Sequence, residues 1–589
     1  MQYRLRSDGV PSSGSGLEDA INAAIDAPAR AHWEIAARIG EEEQRALDAE
    51  SLLEAQLLWN RGIRTAEDAC VFLTPSTLAL LGDPLTMRGM AEAVARLKAA
   101  IANGERIGVY GDYDVDGVAG AALLATAIRA AGGDVVVYVP DRARDGYGVN
   151  PDGVRRLAEA GIRVIVTVDC GVTANVEVAL AAELGVDVIV ADHHAVPAEL
   201  PAAFAVLNPH HTECAYAFKE LAAGGVALQL ARALLAGRGS AEAVGEQLEQ
   251  LAAFAALSTV ADIVPLIGEN RIIVRVGLAA ARASGHPGLE ALCRVAGRAL
   301  SRLSAQDLAF SVIPRLNAAS RMGDAHRALD LLLAEDAVTA RELARTLDQA
   351  NLARRERVST ILLAIEEEAA AASREGAIVL AGEYPVGLAG LIATRVTERH
   401  GVPCVVIERG DPTSRGSARG VMGVHLVKVL EACEPCLIQY GGHERAAGFS
   451  LTTAQIEPFR QRFVAAVRLV GDGQPYRRVL QADGVLNLSS IGPRLADLLD
   501  RFEPAGAGNA RPTFISHRVL VRAANELRGG HFSLRLAQGM AVRRAVSFRP
   551  SFPMPVPGTL IDVLYEVERS TFAGEERVEM LVRDLRAAD

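Results

Sequence analysis

The sequence predicts an α/β protein: a parallel-sheet lobe, a long helix leading to a second α/β lobe, and a small C-terminal β-barrel. Three observations carry this. Strand-like runs at 106–110, 134–139, 164–168 and 187–191 are separated by Ala/Leu-rich helical stretches, the grammar of βαβ units and a parallel sheet. From Asp324 to Glu375 there is neither Gly nor Pro, and Ala, Leu, Glu and Arg dominate, as in a long helix. Beyond about Tyr476, runs such as His517–Arg522, Phe532–Leu536, Leu560–Val567 and Arg577–Val582 alternate apolar and polar residues, as in a small barrel.

Taken in chain order, VPSSGSG at 10–16 reads as a flexible lead-in. Residues 17–105 are helical in pattern with few strand signals, and 220–310 are mainly helical. Strand signals return after Gly376, at Ala377–Ala381 and Cys404–Glu408. The expected division is 1–80, an N-terminal helical region; 81–335, a catalytic domain; 336–375, a connecting helix; 376–475, the second α/β domain; and 476–589, the barrel. A chain of 589 residues with 50% hydrophobic content can fill several cores. No apolar window is long enough to span a membrane, and the N-terminus lacks the apolar stretch of a secretory signal. The seven scattered cysteines suit a reducing cytoplasm. Cys433 and Cys436 form a CxxC without a second pair to complete a zinc site, so they read as core thiols. The net charge of −11 provides no global basic field; any nucleic-acid groove must rely on local charge, nearly all of it Arg.

The chemistry lies at the strand ends. GDYDVDG at 111–117, TVDCG at 167–171 and VADHH at 190–194 each follow a Val/Ile-rich run. In an open parallel sheet, ligands gather at the carboxyl edge. Asp112, Asp114 and Asp116 lie in a Gly-bounded loop. A calcium loop starting at Asp112 would need a Glu at its twelfth position, where Leu123 stands, so that reading fails. Asp169 is a natural bridging carboxylate between two metals, because a charge at a buried strand end needs a partner. Asp192-His193-His194 offers one imidazole to a metal and another to a phosphate, with Asp192 orienting a ligand His. Asp262, in LSTVADIVPL, adds an isolated carboxylate. Hard oxygen and imidazole donors at this edge point to a dinuclear Mn2+ or Mg2+ centre for phosphoester hydrolysis, with Asp169, Asp192, His193 and His194 as the catalytic group.

GDYDVDG, VDCG, DHH and VADIVPL, in this order and spacing, resemble the DHH phosphoesterases, and most closely their single-strand-specific 5′→3′ DNA exonucleases. The resemblance covers nearly the whole chain. LLWNRGIRTAEDACVFLTPS (57–76), PDRARDGYGVN (140–150), LNPHHTECAYAFKEL (207–221) and PRLNAASRMGD (314–324) continue it. GGHERAAG (441–448) is similar to the signature of the DHH-associated domain; FEPAGAGNARPTF (502–514) and RGGHFSLRL (528–536) are similar to an oligonucleotide-binding (OB) fold. The resemblance implies metal ligation by Asp114, Asp116, Asp169, His193 and Asp262, with Asp112 and His194 as ligands or their partners. It implies nucleic-acid phosphate contacts, including a 5′-terminal phosphate, from Arg315, Asn317, Arg321, Arg415, Ser417, Arg419, Gly441, Gly442 and His443. It also implies two Mn2+ or Mg2+ ions, release of 5′-mononucleotides from single-stranded DNA in recombination and repair, and a cytoplasmic monomer working with single-strand-binding protein and a RecQ-type helicase. Four places depart from the family pattern. Ser320 replaces the Gly of N-A-x-G-R, Tyr384-Pro385 replaces a Trp-His, Gly420 replaces a Ser, and Ala222-Ala223-Gly224-Gly225-Val226-Ala227 stands for A-G-V-G-V-A. No metal position is lost.

Two other classes are weighed. A small-substrate phosphatase or cyclic-dinucleotide phosphodiesterase needs only two lobes, so the N-terminal region and the barrel argue against it. A non-catalytic single-strand-binding scaffold would show gaps in the ligand set, and this set is intact.

Overall fold

The computed structural model describes residues 31–74, 76–142, 144–470, 479–548, 550, 552–572 and 575–588; the lead-in expected at 10–16 lies outside them. The chain divides into two compact units. One combines residues up to Thr74 with 476–503 and 511–589; the other holds 75–475 and 504–510.

The larger unit begins with the parallel sheet. Its strands are β1 (Arg106–Gly111), β2 (Val135–Tyr138), β3 (Ile162–Val168), β4 (Asp187–Ala191) and β5 (Ala205–Leu207). They lie in the order β2-β1-β3-β4-β5, all parallel. Ile107, Val109, Val164, Val166, Val168 and Ile189 are buried, the near-continuous apolar run of a sheet covered on both faces. The chain leaves β1 toward one edge and returns to the other side of it for β3, so the topological switch point falls between β1 and β3. β5, three residues long, was not among the expected strands. Helices α1 (Val115–Ala130), α2 (Ala223–Leu235) and α3 (Ala241–Ala261) contribute to the core that the sheet builds.

A π-helical turn, Leu308–Val312, leads into α4 (Ile313–Met322). The long helix follows as α5 (Ala337–Ser373), 37 residues or about 55 Å. Asp336 caps it, accepting from Val338 and Thr339 N–H at 2.9 Å. Its buried residues are Ala340, Ala344, Leu347 and Asn351 near one end and Ile365 and Ala369 near the other, with none between. The first group's apolar members join the core of the parallel-sheet lobe, the second that of the next lobe. That lobe holds β6 (Ile378–Gly382), α6 (Val386–His400), β7 (Cys404–Glu408), β8 (Thr413–Arg419), β9 (Gln439–Gly442) and β10 (Ala446–Thr452). The strand order is β9-β10-β8-β7-β6, parallel only between β6 and β7. Cys433 and Cys436 are buried free thiols, and burial pushes Cys433 up to about 12, as core thiols require.

The smaller unit contains a closed five-stranded barrel of Thr513–Leu527, His531–Gln538, Ala541–Ser547, Leu560–Phe572 and Glu575–Ala587. Pairing between the first and fourth of these closes it. Phe514, Leu534, Tyr565 and Met580 fill it, and Leu57 and Leu58 of the helix Leu52–Asn60 belong to the same core. The N-terminal region, expected to be helical in pattern with few strand signals, holds one strand among its described residues. His32–Ile35 is a strand, paired in parallel with Val479–Ala482. Only Trp33 of its four residues is buried, so no alternation marked it. Among the described residues, no helix is long and apolar enough to cross a membrane.

Candidate metal centre

β1, β3 and β4 are neighbours, and the residue after each is an aspartate: Asp112, Asp169 and Asp192. Main-chain hydrogen bonds continue the ladder through them. Asp112 N–H reaches Val168 O at 3.1 Å, Asp169 N–H reaches Ala191 O at 3.1 Å, and Asp192 N–H reaches Leu207 O at 3.0 Å. Past Asp112 the chain turns sharply into α1, and Gly117 makes this possible: an added Cβ would lie 2.5 Å from Asp112 N. Asp114 is the N-cap, its side chain accepting from Asp116 N–H (2.9 Å) and Gly117 N–H (3.3 Å). Asp169 adopts φ +66°, a left-handed conformation uncommon outside glycine but best tolerated by Asp and Asn.

The side chains converge. His193 Nε2 lies 3.2 Å from Asp169 Oδ1, 3.4 Å from Asp116 Oδ2 and 3.7 Å from Asp262 Oδ2. Three groups bring ligand atoms within 4.8 Å of one another: Asp112/Asp114/Asp169, Asp116/His193/Asp262 and Asp169/His193/His194. Asp169 and His193 each belong to two of them, and of the two Asp169 has the second carboxylate oxygen that bridging requires. Asp192 stands behind the pair of imidazoles. Its Oδ1 accepts from His193 N–H (2.8 Å), His194 N–H (3.1 Å) and His194 Nδ1 (2.7 Å), and its Oδ2 from Val172 N–H (3.0 Å).

Electrostatics separate these carboxylates into two kinds. Burial and then neighbouring negative charge hold Asp112, Asp114 and Asp169 above the usual carboxylate range, and push Asp262 up to about 8. Burial would raise Asp192 too, but His194 and the backbone N–H groups outweigh it and hold Asp192 low. His194 resists burial through its bond to Asp192 and rises to about 9, whereas burial lowers His193. Asp112 Oδ1 is buried without a hydrogen-bond partner. Crowded, desolvated carboxylates with an unused oxygen call for a cation, and oxygen and imidazole donors fit Mn2+ or Mg2+.

An arginine group lies nearby. Arg321, on α4, donates to Gly387 O at the start of α6 (2.7 Å), joining the two lobes. Burial, then the charges of Arg142, Arg354 and Arg419, bring Arg321 down to about 9, while Asp114 opposes this. Arg321 Nε and Arg354 Nε are buried without partners. Arg419 Nη1 donates to Ser417 Oγ at 3.1 Å. Gly390 leaves room for both: an added Cβ would lie 2.8 Å from Arg419 Nη2 and 3.1 Å from Ser417 Oγ.

Not every expected phosphate contact joins this group. Arg315 donates to Asp348 (2.9 Å) and Ser311 O (2.6 Å), so its charge is already matched by α5. Asn317 Oδ1 accepts from Val115 N–H (3.2 Å) and steadies the aspartate loop instead. Arg415 shares the outward face of β8 with Ser417 and Arg419 but lies four residues, about 13 Å, along the strand from Arg419. Gly441 and Gly442 end β9, and the turn that follows brings His443 to a cavity of about 930 Å3 that it lines with His193, His194 and Asp262. Sequence reasoning missed Arg142, Arg354, Ser258 and Tyr147. Tyr147 OH lies 3.2 Å from Asp169 O and from the His194 ring nitrogens. Arg142 and Tyr147 sit in the segment PDRARDGYGVN and Ser258 in LSTVADIVPL, which carried a signal; Arg354 carried none.

Two families match: the DHH family, N-terminal domain, over residues 106–259, and the RecJ OB domain over 482–584. A single-stranded-DNA-specific exonuclease RecJ from Dickeya dadantii is 34% identical over 91% of this chain and 96% of its own length. The chain belongs to the RecJ family. The RecJ of Escherichia coli is 35% identical over 79% of this chain and 83% of its own. The crystal structure of RecJ in complex with Mn2+ from Thermus thermophilus is 31% identical, covering 95% of this chain and 80% of that one at a TM-score of 0.80. A Mg2+ complex from the same organism matches at 0.74.

Proposed function

We propose that this chain is a metal-dependent, single-stranded-DNA-specific exonuclease that hydrolyses phosphodiester bonds from the 5′ end and releases 5′-mononucleotides. The observation that carries it is the overlap of ligand groups on Asp169 beside a cluster of underpaired arginines. The RecJ relatives named as single-stranded-DNA-specific exonucleases support the substrate, and the Mn2+ and Mg2+ complexes support the cofactor.

In this reading Asp112, Asp114 and Asp169 would hold one divalent cation, and Asp116, His193, Asp262 and Asp169 a second. Bound cations supply water activation and neutralise charge on the leaving oxygen. The residues do the rest. Asp192 fixes the His194 imidazole through its bond to Nδ1 and the main chain that carries both histidines through its bonds to His193 N–H and His194 N–H. His194, whose bond to Asp192 outweighs burial and raises it to about 9, can donate to a scissile phosphate oxygen. Arg142, Arg321, Ser417 and Arg419 take the 5′-terminal phosphate, which supplies the anion their crowded charges lack. The barrel, matching the RecJ OB domain, holds the incoming strand by charge and stacking.

The proposed division of labour keeps 81–335 as the catalytic domain and 336–375 as the connecting helix. It assigns phosphate recognition to 376–475 and strand capture to 476–589, with 1–80 as an N-terminal helical region. The chain would act as a monomer in the cytoplasm, in recombination and repair, with single-strand-binding protein and a RecQ-type helicase as partners.

The test is degradation of single strands labelled at either end, with Mn2+ or with a chelator. Metal-dependent release of labelled mononucleotide from the 5′ end first is expected. Release from the 3′ end, or cleavage that survives chelation, would defeat the reading.

A further inference from the structure

Asp116 differs from the other carboxylates of the centre in how it is held. Its Oδ2 accepts from Ala223 N–H and its Oδ1 from Gly224 N–H, each at 3.1 Å, and Oδ1 also accepts from the Ser258 hydroxyl. The same hydroxyl accepts from Gly224 N–H at 2.8 Å. Ser258 is fully buried, and its carbonyl accepts from Asp262 N–H at 3.0 Å. One serine therefore joins the first turn of α1, the first turn of α2 and the end of α3 that carries Asp262.

Room for this serine comes from Gly224. An added Cβ there would fall under 3.0 Å from both Ser258 Oγ and Ser258 Cβ. A side chain at 224 and the Ser258 hydroxyl compete for one space.

We propose that Ser258 and Gly224 form a matched pair that fixes the Asp116 carboxylate for cation binding, Ser258 as the positioning residue and Gly224 as the gap it occupies. The inference rests on the metal-centre reading above. A carboxylate has about four acceptor sites. Two N–H groups from the first turn of α2 and the Ser258 hydroxyl occupy three of them and leave one direction open toward His193 and Asp262. Without the hydroxyl, Oδ1 keeps a single donor and the carboxylate can turn.

The experiment measures Mn2+ binding to the full chain by calorimetric titration, with thermal unfolding in chelator as the check on folding. Ser258→Ala and Ser258→Gly are each expected to weaken Mn2+ binding about tenfold or more, the scale for losing a group that orients a ligand, while keeping a cooperative, modestly lowered unfolding transition in chelator. Gly224→Ala should weaken binding at least as much. Combining it with Ser258→Gly should restore affinity to the level of Ser258→Gly alone. If Gly224→Ala does not fold, the double variant is compared with Ser258→Gly directly. Wild-type Mn2+ affinity in Ser258→Ala overturns the inference, as does a double variant binding more weakly than Ser258→Gly. A wild-type chain that fails to bind Mn2+ would defeat the metal-centre reading itself, and the inference with it.

Discussion

The carboxylate edge and the arginine group lie in the same unit, and each crowds like charges out of water. They are held in opposite ways. Asp114, Asp116 and Asp192 are clasped by main-chain N–H groups, so the acidic side is set by the backbone of the strand ends and helix starts. Arg321 and Arg354 keep buried nitrogens without partners, so the basic side is set by long side chains awaiting an anion. The difference teaches that the acidic region is fixed by main-chain donors, whereas the basic region keeps N–H donors in reserve, which the proposed 5′-terminal phosphate would use.

Removing Asp169 should break the comparison most completely, because it takes the carboxylate shared by two ligand groups. Asp169→Ala is expected to lower cleavage by on the order of 10³-fold while single-strand binding largely survives; wild-type-like turnover by a folded variant would end the bridging model. On the basic side the effect should be smaller. Arg419→Ala should cut the preference for 5′-phosphorylated over 5′-hydroxyl ends roughly tenfold to a hundredfold, the worth of a charged hydrogen bond. The difference should narrow at high salt, and an unchanged preference in competition assays would refute the assignment.

A pH scan of metal-free protein probes the acidic side alone. Asp112, Asp169 and Asp262 have pKa values raised above the unfolded value near 4, so the folded chain binds more protons and loses stability as pH rises from about 4 toward 8. His194, raised to about 9, acts in the same direction: its contribution is full below about 6.5 and disappears as pH rises through 9. His193, lowered, opposes this only below about 6.5. The melting temperature in chelator should therefore fall between about pH 6 and 8.5, and Mn2+ should flatten or invert the slope by replacing protons. A flat or rising profile without metal would contradict the account.

Arg315 sharpens the boundary of the basic region. Arg315→Ala breaks its pair with Asp348 and should cost about 1–3 kcal/mol of stability, read by thermal or denaturant unfolding, with end preference intact; a lost preference would return Arg315 to the phosphate site. The smallest effect is expected on the barrel, where exposed Arg535 lies opposite Arg544 across two strands. Arg535→Ala should weaken capture of long single strands modestly and reduce the salt slope by about one; an unaltered slope would remove that face from the binding path.

What the sequence made legible follows from these two modes of construction. Asp112, Asp169 and Asp192 are each the next residue after an apolar strand, so local pattern placed them at one sheet edge. The long helix was legible because nothing in 324–375 breaks it. The arginine group is assembled from 142, 321, 354 and 419, on four separate segments, and no local pattern joins them. Arg315 was read as a phosphate contact because a sequence displays charge but not its partner, here Asp348, 33 residues away. Tyr147 and Ser258 act through hydrogen bonds to residues distant in sequence, which leave no periodic trace. The strand His32–Ile35 was hidden for the same reason, its pairing residues beginning at Val479.

That last pairing bears on synthesis. Trp33 donates its indole N–H to Asp584 at 2.8 Å, across 551 positions of chain. Leu57 and Leu58 likewise share a core with Phe514, Tyr565 and Met580. At about 5–20 residues per second, the first residues to leave the ribosome wait roughly half a minute to two minutes for the partners that cover them. Through that interval the larger unit can complete its fold while the N-terminal helices remain apolar and uncovered, so a ribosome that stalls before the barrel releases a chain whose opening segment is a target for chaperones and proteases.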